Sequence, residues 1–178
     1  VFFDNVRIPA KNLIGEENKG FYHLMSALDF ERVALVGIGG FRRMFEELLD
    51  YAKTTARNGE ILGKDPAIRR KLVEMATRIE IAYGYVWQAA AMLDAKKDPH
   101  VESAVLKVVT TELARDMAEV AMDILGPYGH LTQPSVRTPI RALVSRGYLE
   151  SISATIGAGT SEIQRNIIAQ RGLGLPRK

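Results

Sequence analysis

The stretch Thr155–Arg165, TIGAGTSEIQR, sets two glycines and an alanine directly before a helix start. Ser161 with Gln164 three places on has the spacing of a capping box, so Ser161 or Thr160 is predicted to open a helix through Ile163, Ile167 and Ile168. The residues ahead of it carry almost no side chain. Another group can therefore approach the backbone closely, where unpaired N–H groups and the helix dipole favour an anion such as a phosphate. An ordinary glycine-rich turn before a short helix has the same spacing. A second side chain placed for chemistry is Glu31, in ALDFERVAL. It lies between Phe30 and Val33 on a largely apolar segment, where desolvation would raise its pKa toward the working range of a general base. A surface glutamate paired with a neighbouring arginine fits the same residues.

With 178 residues, 47% of them hydrophobic, the chain is long enough to bury one domain-sized core. Its net charge of +3 comes from 24 basic and 21 acidic residues scattered along the sequence without a run of like charge. That argues weakly for an anionic ligand and hardly at all for nucleic acid. Cysteine is absent and the three histidines, His23, His100 and His130, are far apart, so neither a disulfide framework nor a metal site is expected. The richest apolar stretch, RVALVGIGGF, is short and holds three glycines, so no membrane span is predicted and the protein reads as soluble and intracellular. The chain opens VFFDNV, with no initiating Met and no signal-like segment, which suggests a piece of something longer.

The elements that must position these residues read almost entirely as helix. VFFDNVRIP has the β-branched and aromatic content of a strand, ended by Pro9. A long helix is predicted from about residue 21 to 57, with Leu24, Leu28, Leu35, Ile38, Met44, Phe45, Leu48 and Leu49 as its apolar stripe. Gly37, Gly39 and Gly40 weaken its middle and suit close approach by a neighbouring helix or a ligand. Asp65-Pro66 and Asp98-Pro99 are each read as an N-cap followed by proline at the first helical position. The helix after Asp65-Pro66 is apolar almost all round in IEIAYGYVWQAAAML and should be buried in the bundle, with apolar surface to spare for packing against a second copy. The next, with Leu106, Val109, Leu113, Met117, Val120 and Ile124 on one stripe, stops at Gly126-Pro127. Short connections imply antiparallel neighbours, with the helix from Thr160 able to complete a four-helix up-down bundle.

Three stretches together resemble the acyl-CoA dehydrogenase family over essentially the whole chain: FDNVRIPAKNLIGEENKGF, LGPYGHL and GTSEIQR. The resemblance implies an all-α, four-helix up-down bundle like that family's C-terminal domain. Residues 1–18 would be the strand or loop remnant of a preceding β-domain, and residues 19–178 the bundle itself. It also implies FAD as cofactor. Thr160 and Glu162 would contact the flavin, while Arg57, Asp123, Gly126 and Pro127 would reach the adenine and pyrophosphate of a neighbouring subunit's FAD. Three features depart from the family pattern: ARNGEILG around Arg57, Asp123 in place of a glutamine, and the segment 134–156. Without the resemblance, Arg57 reads as a cation favoured by a helix C-terminus.

The family's reaction removes the α-proton of an acyl-CoA thioester with a carboxylate while the β-hydrogen leaves as hydride to the flavin. Many members carry that carboxylate just before the glycine of GTSEIQR, where this chain has Ala158. Members resembling isovaleryl- and long-chain acyl-CoA dehydrogenases carry it on the long helix in a Leu-Asp-x-Glu-Arg setting, which here gives Glu31 as the base. Asp29, Arg32, Ala158 and Gly159 would then lie at the thioester or CoA, with the Ala158 backbone N–H able to polarise the carbonyl. The implied partners are an acyl-CoA of fatty acid metabolism, an electron-transfer flavoprotein and further copies of the chain, as a homotetramer or dimer. The implied place is the cytoplasm, or the mitochondrial matrix of a eukaryote. The fragment alone is expected to bind FAD poorly and to turn over nothing. Two other functions fit: a non-catalytic assembly subunit of a heteromeric dehydrogenase, for which Ala158 would mark lost chemistry, and a flavin-dependent monooxygenase of the same fold.

Overall fold

The structure, a computed structural model, describes residues 1–34, 37–135 and 138–177. Leu35 of the expected apolar stripe and the side chain of Asp29 lie outside the described part. The chain is mostly helical, with α1 at Gly20–Ala34, α2 at Ile38–Thr54, α3 at Pro66–Asp94, α4 at His100–Leu125, α5 at Leu143–Ala154 and α6 at Ser161–Ile167. Two short antiparallel strands, β1 at Ala56–Arg57 and β2 at Glu60–Ile61, form the only sheet among the described residues.

The single helix predicted over 21–57 is two helices. Gly37 has a left-handed φ of 60° and is the N-cap of α2, a conformation that glycine adopts at little cost and that ends any continuous helix. The stripe survives the break, because Leu48 and Ala52 of α2 are fully buried. After Thr54 the chain turns through Asn58 and Gly59, both at positive φ, into the β1–β2 hairpin, so Arg57 sits on a strand and not on a helix end.

Asp65 caps α3 as expected, its carboxylate accepting from the Ala67 N–H at 2.7 Å with Pro66 opening the helix. At α4 the start lies one residue later than predicted: Pro99 occupies the cap position, with no side-chain capping bond, and His100 begins the helix. Gly126 ends α4 at a φ of 58°. α4 is the central element, with α1, α3, α5 and α6 packed on it and its Leu106, Leu113, Ile124 and Leu125 almost fully buried. Two apolar clusters fill the bundle, one around Leu48, Leu72, Ile124 and Val144, the other around Met75, Ile79, Leu113 and Met117.

The fourth arm of the bundle is α5, inside the segment 134–156 that departs from the family pattern, and not the helix from Thr160, which as α6 is a short cap on α4. Arms α1–α2, α3, α4 and α5 give the four-helix bundle that the sequence implied. Two further expectations are not met within this chain. Residues 1–9 join no strand among the described residues, leaving Phe2, Phe3, Val6 and Ile8 exposed, because a strand needs a neighbour to take its ladder. The α3 helix is buried on one face only: Leu72, Met75, Ile79, Ala82 and Ala89 point inward, while Val73, Ile81 and Trp87 face outward. No helix among the described residues is long and apolar enough to cross a membrane.

Candidate functional site

The turn between α5 and α6 is fixed from three directions. Its Ala158 lies at a φ of 55°, a region that costs a residue with a Cβ roughly 1 kcal/mol or more. The Ala158 carbonyl accepts from Arg32 Nη2 of α1 at 3.0 Å and from Gln164 Nε2 of α6 at 3.0 Å, which offsets that strain. Gly159 follows at a φ of 95°, where an added Cβ would stand 2.5 Å from Gln164 Nε2, so only glycine fits. Lys107 of α4, 5% exposed, donates to the Thr155 carbonyl at 2.9 Å. Two cations and an amide therefore point inward onto carbonyl oxygens of one short turn.

Of the two residues expected to open the helix, Thr160 does so, and the Ser161–Gln164 capping box is not made. Thr160 is the N-cap of α6 and its hydroxyl accepts from the Ile163 N–H at 3.3 Å, while Ser161 is buried at the first helical position. Gln164 is drawn back to Ala158 and leaves the box unmade. Thr160 also hydrogen-bonds Glu162. That carboxylate is held below its ordinary range by its own backbone N–H first and the Thr160 hydroxyl next, with Arg165 and Lys107 adding to the effect.

Glu31 and Ala158, the two positions at which the resemblance puts a base, line one cavity of about 420 Å³ with Arg32, Phe41, Lys107 and Thr110. Glu31 itself is exposed, so the desolvation expected from its apolar neighbours in sequence is not supplied by this chain: Phe30, beside it, turns outward. Burial, and then the Arg32 guanidinium, push the Lys107 ammonium below its ordinary range, with Glu112 and Glu162 pulling the other way. The cavity wall is thus cationic. Lys107 was missed in the sequence, although a lone lysine among Ala104, Val108 and Thr110 on an otherwise apolar stripe was a signal for it.

The remaining residues gather elsewhere. Arg57 Nη2 donates to the Ile124 carbonyl at 2.6 Å and lies over Gly126, whose Cβ would meet it at 3.4 Å. Arg57 therefore sits at a helix C-terminus after all, that of α4 and not of its own helix. Asp123 pairs with Lys71 at 2.6 Å on the surface. Pro127 is the second residue of the 3-10 turn Gly126–His130. Asp123 is sixteen residues beyond Lys107 on α4, about 24 Å along a straight helix, so the two groups of residues form separate sites on one chain.

Among the described residues, Ser161 Oγ and Gln164 Oε1 are buried polar atoms without a hydrogen-bond partner, next to the small residues Gly157, Ala158 and Gly159. A flat, polar-edged group such as a flavin fits a turn of that make-up, with backbone at its surface and the hydroxyl of Thr160 beside it.

Residues 18–173 match the family described as acyl-CoA dehydrogenase, C-terminal domain. The chain is 31% identical over 171 residues to the caffeyl-CoA reductase-Etf complex subunit CarC of Acetobacterium woodii, covering 95% of this chain and 43% of that protein. It is 33% identical over 172 residues to the mitochondrial short-chain specific acyl-CoA dehydrogenase of Sus scrofa, covering 95% of this chain and 40% of that protein. In structure it resembles the ChsE4-ChsE5 complex from Mycobacterium tuberculosis, with a TM-score of 0.86 at 31% identity over 99% of this chain and 45% of that one. The chain spans less than half the length of these relatives. With GTSEIQR at the turn, the bundle around α4 and a match that runs nearly end to end, the chain belongs to the acyl-CoA dehydrogenase family, as its C-terminal helical domain.

Proposed function

We propose that this domain serves an FAD-dependent acyl-CoA dehydrogenase in which Glu31 takes the α-proton of an acyl-CoA thioester. The observation that carries this reading is that Glu31 and Ala158 line the same cavity, so a carboxylate from α1 can do what a carboxylate on the turn does in other members. Arg32 and Lys107 make the wall beside it cationic, which favours the negative charge that develops on the thioester oxygen as the proton leaves. The Ala158 N–H donates to that oxygen, with Asp29 and Gly159 completing the substrate contacts. Thr160 and Glu162 hold the flavin. Arg57, Asp123, Gly126 and Pro127 hold the nucleotide end of a neighbouring subunit's FAD. The cofactor supplies the acceptor for the β-hydrogen, which leaves with its electron pair.

Residues 1–18, with their exposed apolar side chains, pack on a preceding β-domain, and the bare face of α3 at Val73, Ile81 and Trp87 packs on another copy in a homotetramer or dimer. An electron-transfer flavoprotein takes the electrons, in the cytoplasm or, in a eukaryote, the matrix. A second reading, a non-catalytic subunit of a heteromeric enzyme, draws on Ala158 and on relatives whose names make them parts of complexes.

The test is Glu31→Gln in the intact flavoprotein. Flavin reduction by a saturated acyl-CoA is expected to fall about ten-thousand-fold with FAD content unchanged, since positioned general bases contribute roughly a hundred- to ten-thousand-fold and Glu31 is the only carboxylate lining the cavity among the described residues. Ala158→Glu added to Glu31→Gln should return part of the rate. Reduction at near wild-type speed in Glu31→Gln removes it as the base. A wild-type protein that holds FAD yet is reduced by no acyl-CoA favours the non-catalytic subunit.

A further inference from the structure

The turn between α5 and α6 is held by hydrogen bonds on both sides of one unbonded peptide group. On one side, the Thr155 carbonyl accepts from Lys107 Nζ at 2.9 Å and from the Ser161 N–H at 3.1 Å, which ties α4, the end of α5 and the start of α6 at a single oxygen. The N–H groups of Ile156 and Gly157 both donate to the Ser153 carbonyl, at 3.0 and 2.9 Å. On the other side, Arg32 and Gln164 hold the Ala158 carbonyl. The peptide group in between, which carries the Ala158 N–H, has no hydrogen bond of its own among the described residues. Its direction is therefore set by its two fixed neighbours.

Lys107 is a costly way to make one of these ties. Elsewhere on α4, Leu106, Leu113 and Ile124 are buried in apolar packing, whereas Lys107 takes an ammonium group out of water, 5% exposed, to reach one carbonyl. A plain structural tie does not require a charge. What sets this one apart is its place, because Lys107 and Ala158 line the cavity that holds Glu31. We infer that Lys107 is a positioning residue: by holding the Thr155 carbonyl it fixes the direction of the Ala158 N–H, and with it the strength of the bond that this N–H makes to the thioester oxygen. The inference rests on the acyl-CoA reading of that cavity. Lys107 thereby acts through the backbone, three residues from the group it aims, as well as through its charge. Aim matters here, because a hydrogen bond weakens steeply off line and a misplacement of about 1 Å can cost on the order of a hundredfold in rate.

The experiment compares the intact flavoprotein with Lys107→Met, which keeps the stem and removes donor and charge together, and with Lys107→Gln, which keeps a donor without the charge. Two quantities are read: the infrared carbonyl stretch of bound octenoyl-CoA, isotopically labelled at the thioester carbonyl, and the rate of flavin reduction by octanoyl-CoA. In the wild type the stretch should lie below its value in buffer, as the carbonyl is polarised. Lys107→Met is expected to lose roughly half or more of that shift and to slow flavin reduction roughly tenfold or more, with octenoyl-CoA affinity changed by less than about threefold. Lys107→Gln should recover part of both. An undiminished carbonyl shift in Lys107→Met overturns the inference whatever the rate, and so does a Lys107→Gln that behaves as Lys107→Met, which would leave Lys107 acting by charge alone. A wild type that binds octenoyl-CoA without any carbonyl shift overturns the positioning, while leaving the dehydrogenase reading standing if octanoyl-CoA reduces the flavin. A shift that depends on Lys107 as expected, with no flavin reduction in the wild type, upholds the positioning and overturns the dehydrogenase reading.

Discussion

The two ends of α4 handle similar residues in different ways. Near its N-terminal half, Arg32 and Lys107 are buried and spend their donors on carbonyls of a turn that is itself strained, and Gln164 closes the same turn from the other side. At its C-terminal end, Arg57 and Lys71 also bond to groups of α4, the Ile124 carbonyl and the Asp123 carboxylate, but both are surface side chains in contact with water. In the first region the cations are built into the framework and fix the shape of the turn. In the second they occupy groups that a partner or ligand could claim by exchange, at little cost. Burial, more than the kind of bond, separates a region that is a fixed scaffold from one that is a replaceable contact.

Paired arginine variants break this comparison most directly. Arg32→Met keeps the volume and removes a buried, charge-assisted bond to the Ala158 carbonyl, for a loss of about 2 kcal/mol in local stability. Arg57→Met removes a bond of similar form made by an exposed side chain at a helix C-terminus, worth about 0.5 kcal/mol. Amide exchange in the intact protein measures both. Exchange across residues 155–164 should speed roughly thirtyfold in Arg32→Met, while exchange at the end of α4 in Arg57→Met should change by only two- to threefold. Equal effects would show that burial does not set the difference.

The sequence made the helical class, the α3 cap at Asp65, the stop at Gly126 and the small-residue turn before the Thr160 cap legible, because each is written in adjacent residues. What it did not reveal depends on distance. α5 was missed because SRGYLESISA has few strong apolar positions and takes its order from packing on α4. The break at Gly37 lies inside a continuous apolar stripe, so periodicity runs straight across it. Glu31 reads as buried from Phe30 and Val33, yet those neighbours are along the helix and do not cover the carboxylate. Lys107 is the reverse case, a charge whose partner, Thr155, is 48 residues away.

Lys107 also sharpens the comparison through pH. Burial and Arg32 lower its pKa in the folded chain below the ordinary 10.5. Between the folded and the unfolded values the unfolded chain holds more protons, so this group's contribution to stability rises with pH across that window and is least favourable below it. Relative to Lys107→Met, the wild type should therefore gain stability as pH approaches 10.5 from below. At neutral pH the variant itself should cost about 1 kcal/mol, the lost bond to Thr155 being offset by removal of a buried charge. Denaturation of the intact protein at two pH values checks it; a difference that shrinks with rising pH would mean that Lys107 gains more from Glu112 and Glu162 than it loses by burial.

Asp123 should give the smallest effect. Its pair with Lys71 is short, 2.6 Å, but the two side chains are 65% and 37% exposed. Pairs of that kind contribute a few tenths of a kcal/mol because each partner keeps much of its hydration and loses side-chain freedom to hold one geometry. Asp123→Ala is therefore expected to change the stability of the intact protein by less than about 0.5 kcal/mol, and less still in high salt, where the pair is screened. If Asp123 also meets a neighbouring subunit's FAD, as proposed, flavin affinity should weaken severalfold in the same variant while stability stays put. Thermal denaturation and flavin titration side by side separate the two. A stability loss above 1 kcal/mol would make this end of α4 a scaffold like the other, and the contrast between them would fall.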